Sequence, residues 1–250
     1  MSEMLFYQRV VPLNDQTHAT LRMRPLTLFR FAAQANSVPI LAGEFVECAR
    51  HYPIIFAPGD GGVVPAVLLG LRDNENLFVG EDGVWDAPYV PAFVRRYPFV
   101  PAKAADGQQV VCIDEAAPCF GSKDGDLLFQ DGKPTPALTH AMSFLGEFQS
   151  AAVTTESMAR KIEALGLLRS SDSLAQLNSG KQFRLSGLRV IDEAKLATLA
   201  DADIVELFKS GALHMIYLHL QSLGNLGTLV DRLSSREGLP KKAPLAGRMH

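Results

Sequence analysis

The chain has 250 residues, which is enough for one large domain or two small ones. Hydrophobic residues make up 47% and charged residues 20%, as in ordinary globular proteins. The net charge is −3, from 24 Lys and Arg against 27 Asp and Glu, so no basic excess points to binding of nucleic acid or of an anionic membrane surface.

Cysteine usage and the first residues indicate a cytoplasmic protein. The chain has three cysteines, Cys48, Cys112 and Cys119, and they do not have the spacing of metal ligands. Their odd number argues against a disulfide framework and fits a reducing compartment. The N-terminal residues contain no basic stretch followed by a long apolar one, so we expect no secretory signal. The longest apolar runs, such as Val63–Leu69, are too short to cross a bilayer, and we expect no membrane span.

The N-terminal part predicts short extended segments. Met4–Val11 is apolar and favours an edge strand or an extended lead-in. His18–Arg24 alternates weakly between polar and apolar residues, which indicates a possible second strand. Leu28–Ala35 favours a short helix or turn.

The sequence pattern of residues 38–83 predicts one helix followed by three strands. Pro39 suits the first turn of a helix, and Pro53 ends that helix at Tyr52 because the residue before a proline disfavours helical geometry. A glycine-rich turn at Gly59–Gly62 separates the first two strands, and Asp82-Gly83 is typical of a hairpin turn. The strands are predicted at Ile54–Phe56, Val63–Leu71 and Leu77–Val79.

Residues 90–132 repeat the same order of landmarks. Val90-Pro91 opens a second helix and Arg95–Pro98 closes it. Strands are then expected at Phe99-Val100, Val110–Ile113 and Leu127–Phe129. Both segments contain Val-Pro, a helix, Arg-x-Tyr-Pro, an apolar strand, a Val-Val strand, and Leu-Phe before Asp-Gly. This order predicts an internal duplication. The alternative is coincidence in a chain rich in Pro, Val and Gly.

The region after residue 133 is predicted to be mainly helical. A long helix is expected from Ala137 to Leu168, then an exposed loop or linker at Ser170–Gly180 and a strand at Phe183–Ile191. The remaining helical segments are Glu193–Ala200, Ala202–Ser210 and Ala212–Leu233, the last split near Gly224-Asn225. Residues 236–250 are expected to form a loose tail.

Together these patterns predict an α+β fold. A mixed or antiparallel sheet, built from two similar α-β-β-β units at 38–83 and 90–132, occupies residues 1–133. The mainly helical residues 134–235 are predicted to pack on that region.

The best candidate binding site lies where the two predicted units meet. Trp85, Tyr89, Arg95, Arg96 and Tyr97 combine aromatic faces with guanidinium groups, which suit a sugar, a planar ligand or an anionic group. The alternative is that the aromatic rings pack in the core and the arginines pair with nearby carboxylates. Trp85 and Arg96 have no counterpart in the first unit, so a function specific to this region points to them first.

No recognised catalytic or metal motif is present. His214 and His219 are five residues apart, which is not the spacing of an ordinary helical metal pair, so no metal site is predicted. Cys112 and Cys119 do not have Cys-x-x-Cys spacing, and the adjacent Asp114 and Glu115 point to opposite faces of a strand. Catalytic residues and cofactors therefore stay unassigned.

Short strings through nearly the whole chain apart from its tail carry a family resemblance. They include Val11–Asn14, Val38-Pro39, Tyr52–Ile54, Asn76–Val79, Tyr89–Pro91, Arg95–Phe99, Cys112–Glu115, Leu165–Leu168 and Ser222–Leu226. Together they resemble the bacterial SapC family. The family takes its name from a gene linked to a bacterial surface layer. Its members resemble accessory proteins often encoded near outer-membrane uptake receptors and flavin-dependent halogenase-like proteins. The resemblance therefore implies a non-enzymatic accessory protein associated with surface-layer or nutrient-uptake systems. It implies no catalytic residues.

Three functions are considered. The first is a non-enzymatic binding or accessory protein that meets a protein partner or small-molecule ligand at Trp85–Pro98 or in the groove between the two units. The second is an enzyme of unassigned reaction whose dispersed site includes His18, Tyr52, Arg95 and Asp114. The third is a regulator or structural component that uses the last helix as a partner surface. A deep pocket with converging polar groups favours the enzyme, and an apolar patch rimmed by charge favours the accessory protein.

Overall fold

A computed structural model describes residues 4–59, 61–103, 107, 109–176 and 182–239. It confirms the α+β class, with small sheets followed by a helical C-terminal region. All strand pairs in the described ranges are antiparallel. Some predictions fall on residues outside the described ranges, namely the turn residues Asp60 and Asp106, the linker residues 177–180 and the tail beyond 239.

The largest sheet has five strands and joins the N-terminal and C-terminal parts of the chain. Its strand order is β12-β13-β4-β5-β3. The predicted strands at Ile54–Phe56 and Val63–Leu71 form its central hairpin, in which Ile54 pairs with Val67. Their β-branched residues suit a pleated, buried surface. The bounds are β3 Ser37–Pro39, β4 Ile54–Gly59, β5 Gly62–Leu68, β12 Leu168–Gln176 and β13 Gln182–Ile191.

A second sheet has three strands in the order β1-β7-β6. The hairpin of β6 and β7 brings Phe99 opposite Ile113, and β1 adds the N-terminal segment on the other side of β7. The bounds are β1 Val10–Pro12, β6 Phe99–Lys103 and β7 Gln109–Asp114. The short strands β2 Arg22–Met23, β8 Phe120–Gly121 and β9 Asp126–Leu127 form another three-stranded sheet, in the order β8-β2-β9. A two-stranded sheet contains β10 Phe129–Gln130 and β11 Lys133–Pro134.

The first predicted helix is shorter than expected. Val38 pairs with Val67 of β5, so Val38 and Pro39 lie in a strand rather than in the first helical turn. A 3-10 turn at Ala42–Glu44 leads into helix α1, Phe45–His51. The helix ends before Tyr52, as the following proline predicts.

The third strand predicted in each unit does not join that unit's hairpin. Leu77–Val79 contributes only an isolated bridge between Val79 and Trp85. The Leu77 and Val79 carbonyls instead accept hydrogen bonds from Arg232 and Arg236 of the last helix. The stretch predicted at 127–129 is divided between β9 and β10.

The two predicted units nevertheless share one sequence of elements. Helix α1 precedes the hairpin of β4 and β5, and helix α2, Ala92–Arg95, precedes the hairpin of β6 and β7. The hairpins belong to different sheets. The duplication itself stays a prediction.

The C-terminal region begins with a long helix and a long hairpin. Helix α3 spans Pro136–Ala164, and Thr135 caps its N-terminus by accepting a hydrogen bond from Leu138 N. The prediction of a loop at 170–180 is wrong for 170–176, because this polar segment pairs with β13. Local composition does not reveal such pairing.

The remaining helices follow the predicted order. They are α4 Glu193–Leu196, α5 Asp201–Ser210, α6 Ala212–Ser222 and α7 Leu226–Arg236. Gly211 ends α5 with a φ of +79°, a left-handed conformation that favours glycine, and a 3-10 turn at Leu223–Asn225 separates α6 from α7 as predicted. Among the described residues, no helix is long and apolar enough to cross a membrane.

Candidate functional site

Trp85 is a core residue. Its side chain is buried and packs edge-on against Phe29, and its Nε1–H donates to the Tyr52 hydroxyl over 2.9 Å. The Tyr52 hydroxyl in turn donates to the Tyr89 carbonyl. Burial raises the pKa of Tyr52, so its hydroxyl stays protonated. These contacts place Trp85 in the core, and its part in binding stays a prediction.

Tyr89 and the buried Glu44 tie the two predicted units together. The Glu44 carboxylate accepts hydrogen bonds from the Tyr89 hydroxyl at 2.8 Å and from the Ala92 N–H at 2.7 Å. Its second oxygen accepts from the Leu41 N–H at 2.8 Å. Burial, together with the Glu44 charge, raises the pKa of Tyr89. Glu44 therefore holds the start of α2 against the turn that precedes α1.

Tyr97 belongs to a separate buried network around Asp114. Its ring stacks on Phe31 at 4.0 Å, and its hydroxyl donates to Asp114 Oδ2 over 3.1 Å. The Asp114 carboxylate also accepts from the backbone N–H groups of Gln8, Arg9 and Ala116. Burial and this carboxylate raise the pKa of Tyr97. Asp114 thus anchors the N-terminal segment.

Arg96 is buried although it carries a permanent charge. Only 2% of its surface is exposed, and its guanidinium packs on the rings of Phe93 at 4.1 Å and Phe148 at 4.9 Å. Such cation–π contacts stabilise a charge that has lost much of its water. Arg96 also lines two separate cavities.

Arg95 is the exposed member of the pair. Its Nε donates to the Val90 carbonyl over 2.9 Å, and its guanidinium lies over the rings of Tyr89 and Phe144. The Nη2 group lies 3.3 Å from the Tyr89 hydroxyl. The Glu44–Tyr89 pair therefore sets the position of Arg95 at the surface.

Arg95, Arg96 and Tyr97 line one of two adjoining cavities. These cavities, of about 250 and 340 Å³, share Arg24, Pro25 and Leu26, and we call them together the basic groove. The basic side chains that line the groove are Arg24, Arg30, Arg95, Arg96 and His140. No Asp or Glu is among its described lining residues. In a chain with more acidic than basic residues, this concentrates positive charge beside apolar surface.

A third cavity lies between the β4–β5 hairpin and helix α3, and we call it the α3 cavity. Its volume is about 260 Å³. Its lining is mainly apolar and includes Ile40, Val63, Phe93 and Phe148. The two predicted units and α3 all contribute to it, so it lies in the region predicted as a groove between the units.

The residues considered for an enzyme fall into two separate networks. Tyr52 and Arg95 both contact Tyr89, whereas Asp114 binds Tyr97 and the N-terminal backbone. His18 is buried, and its Nε2 lies 3.4 Å from Glu115. The described contacts do not bring these four side chains to one cavity.

The three cysteines are free and buried. Burial raises the pKa of all three thiols, to about 11 for Cys119. A thiol is nucleophilic only as the thiolate, so these groups are poor nucleophiles near neutral pH. Among the described residues, no three His, Cys, Asp or Glu side chains are grouped as they would be around a metal ion.

His219 is a fully buried histidine. Its Nε2 accepts a hydrogen bond from the Ile191 N–H over 3.2 Å, and its ring packs on Phe56. Burial lowers the pKa of His219 to about 4, so the ring is neutral near pH 7. It links α6 to the large sheet.

The comparison with family models decides the assignment. The model of the SapC family matches residues 13–229. The chain belongs to the SapC family. No curated protein and no solved structure matched this SapC-family chain. The matched range covers the lining residues of the basic groove and of the α3 cavity, whereas Gln8 and Arg9 of the Asp114 network lie before it.

The sequence suggested Arg95, Arg96 and Tyr97 but missed most of the groove and the buried anchors. Arg24 and His140 lie far from residue 95 in sequence and meet it only through folding. Nothing in the sequence around Glu44 indicates that it binds the distant Ala92 N–H, apart from its being a carboxylate near the apolar start of a predicted helix. The only usable hint for Arg24 was that the basic residues Arg22, Arg24 and Arg30 lie close together in sequence.

Proposed function

We propose that this SapC-family protein is a non-enzymatic binding or accessory protein whose basic groove takes an anionic ligand with an apolar body. The proposal is carried by one observation, the five basic side chains that line the groove without an acidic one among its described lining. A guanidinium matches the planar geometry of a carboxylate or phosphate.

The apolar part of the groove supports an amphipathic ligand over a simple ion. Leu26 and Phe144 line the groove between the charged groups, and Leu28 is 46% exposed at its edge. Ligand sites generally combine such apolar walls with a few polar groups that fix orientation. A chain or ring lying along Pro25 and Leu26 would place its anionic end beside Arg24 or Arg95.

The state of the reactive side chains supports binding rather than catalysis. Tyr52, Tyr97 and Asp114 are buried and engaged in hydrogen bonds that hold backbone segments together. The three thiols are free, which also supports our proposal of a cytoplasmic protein, because free thiols suit a reducing compartment.

Calorimetric titration with decanoate and with decanamide tests the proposal. The two compounds have the same chain and differ in the head group, which is an anionic carboxylate in one and a neutral amide in the other. We expect decanoate to bind at least about tenfold more tightly, because a charge-assisted hydrogen bond is worth about 1.5–3 kcal/mol.

Arg24→Gln provides the matched test on the protein side. It should weaken decanoate binding about tenfold, whereas Arg22→Gln should leave it unchanged. The two arginines are two residues apart, and each donates to one carbonyl, Arg24 to Pro118 and Arg22 to Gly125, but only Arg24 lines the groove. Equal binding of decanoate and decanamide, or an Arg24→Gln protein with unchanged affinity, would refute the proposal.

A further inference from the structure

We infer that the ligand of the basic groove carries two anionic groups, one at each end of an apolar spacer, and that Arg30 binds the second of them. The inference rests on the proposed function, because it concerns the same groove and specifies the class of ligand. Two observations carry it. Arginines line both cavities of the groove, and no described residue engages the guanidinium of Arg30.

The basic side chains are distributed over both cavities. Arg95 and His140 line only the cavity of about 250 Å³, and Arg30 lines only the cavity of about 340 Å³. Arg24 and Leu26 line both, so they lie where the cavities adjoin. A ligand that extends from one cavity into the other therefore meets an arginine in each of them.

The two cavities lie close enough for one molecule to occupy both. Phe31 lines the larger cavity and Tyr97 the smaller one, and their rings stack with the centroids 4.0 Å apart. Leu26 belongs to both linings and provides apolar surface between the basic groups. A spacer of methylene groups suits this middle section, because covering apolar surface is favourable.

The stem of Arg30 lies on the backbone of a tight turn at Asp82-Gly83. A Cβ on Gly83 would lie only 2.7 Å from Arg30 Cγ and 3.4 Å from Arg30 Cδ, so the arginine occupies the space that a larger residue would need. The turn is itself anchored, since the Gly83 carbonyl accepts a hydrogen bond from the Phe29 N–H over 2.7 Å. This contact supports the Arg30 side chain at its end of the groove.

The head group of Arg30 is available for a ligand. Among the described residues, none forms a hydrogen bond or an ion pair with its guanidinium. Arg24 and Arg95 differ in this respect, because Arg24 donates to the Pro118 carbonyl and Arg95 to the Val90 carbonyl. A carboxylate beside Arg30 gains a charge-assisted hydrogen bond without displacing a partner within the described chain.

Calorimetric titration with decanedioate and with 10-hydroxydecanoate tests the inference. The two compounds share one carboxylate and the length of the chain, and they differ at the second end, which is a carboxylate in one and a neutral hydroxyl in the other. We expect decanedioate to bind at least about tenfold more tightly, because hydrogen bonds to charged groups are the stronger ones. Octanedioate and dodecanedioate, each against its ω-hydroxy counterpart, extend the comparison to shorter and longer spacers.

Arg30→Gln is the variant that tests the second contact, and Arg22→Gln is its control. Arg30→Gln should remove the advantage of the dianion but leave decanoate binding nearly unchanged, because Arg24 and Arg95 still face a single carboxylate. Arg22→Gln should keep the advantage, since Arg22 does not line the groove. Arg30 is exposed, so its replacement leaves the core intact.

The possible failures of the inference and of the proposed function are distinguishable. If decanoate binds but no dianion binds more tightly than its ω-hydroxy counterpart, the inference is overturned and the proposed function stands. An advantage of the dianion that persists in Arg30→Gln would also overturn the inference. If neither decanoate nor any of the dianions binds, both fail.

Discussion

The residues predicted as one binding site divide into a buried half and an open half. Trp85 and Tyr97 are buried and joined by hydrogen bonds to Tyr52 and Asp114. Arg95 lies at the surface and lines the basic groove together with Arg24. The difference teaches that the aromatic residues concentrated in one stretch pack in the interior, whereas the recognition that we propose depends on basic groups that distant segments bring together. Stability and binding should therefore respond to different substitutions.

The largest expected effect lies in the buried half. Asp114→Ala should lower the free energy of unfolding by about 4 kcal/mol, because it removes an acceptor shared by three backbone N–H groups and the Tyr97 hydroxyl. Urea denaturation followed by circular dichroism measures the change. Glu47→Ala is the control, since its carboxylate pairs at the surface with the exposed Arg50 and its loss should cost less than about 1 kcal/mol. Similar losses for both variants would show that Asp114 is not an anchor.

Lowering the pH should reduce the stability of the fold through the buried His219. The pKa of His219 is about 4 in the folded protein and near 6.5 when the chain is unfolded. Above pH 6.5 the ring is neutral in both states, so it has no effect on stability. Between pH 6.5 and 4 only the unfolded chain takes up the proton, so stability falls as pH drops. The loss is on the order of 3 kcal/mol in total.

Denaturation at several pH values measures this loss. The dependence should shrink in His219→Gln and remain in His214→Gln, because His214 lies exposed on the same helix. The arginines of the groove keep their charge throughout this range, so they should not contribute to this loss of stability. A wild-type protein and a His219→Gln protein with the same pH dependence would contradict the role of His219.

Local sequence patterns correctly predicted those strands and helix ends that depend on the conformational preferences of their own residues. The runs Ile54–Phe56 and Val110–Ile113 form strands because β-branched and aromatic residues suit a pleated surface. Gly211 ended a helix because its left-handed conformation favours glycine.

Long-range pairing accounts for the elements that were predicted wrongly. Leu77–Val79 is not a sheet strand, since arginines of α7 bind its carbonyls from more than 150 positions away. The serine-rich segment at 170–176 is a strand only because β13 pairs with it. The sequence also placed the candidate site near Arg95 and Arg96 but could not bring Arg24 and His140 to them, for the same reason.

The separation of binding from stability is tested most directly by measuring both quantities on Arg95→Gln and Trp85→Phe. Arg95→Gln should weaken decanoate binding about tenfold and change the free energy of unfolding by less than about 1 kcal/mol. Trp85→Phe should lose about 2 kcal/mol of stability, through the lost Tyr52 hydrogen bond and a smaller ring, and keep its affinity. An Arg95→Gln protein that binds decanoate as tightly as the wild type would contradict the separation. So would a folded Trp85→Phe protein whose affinity for decanoate falls about tenfold, as expected for Arg95→Gln.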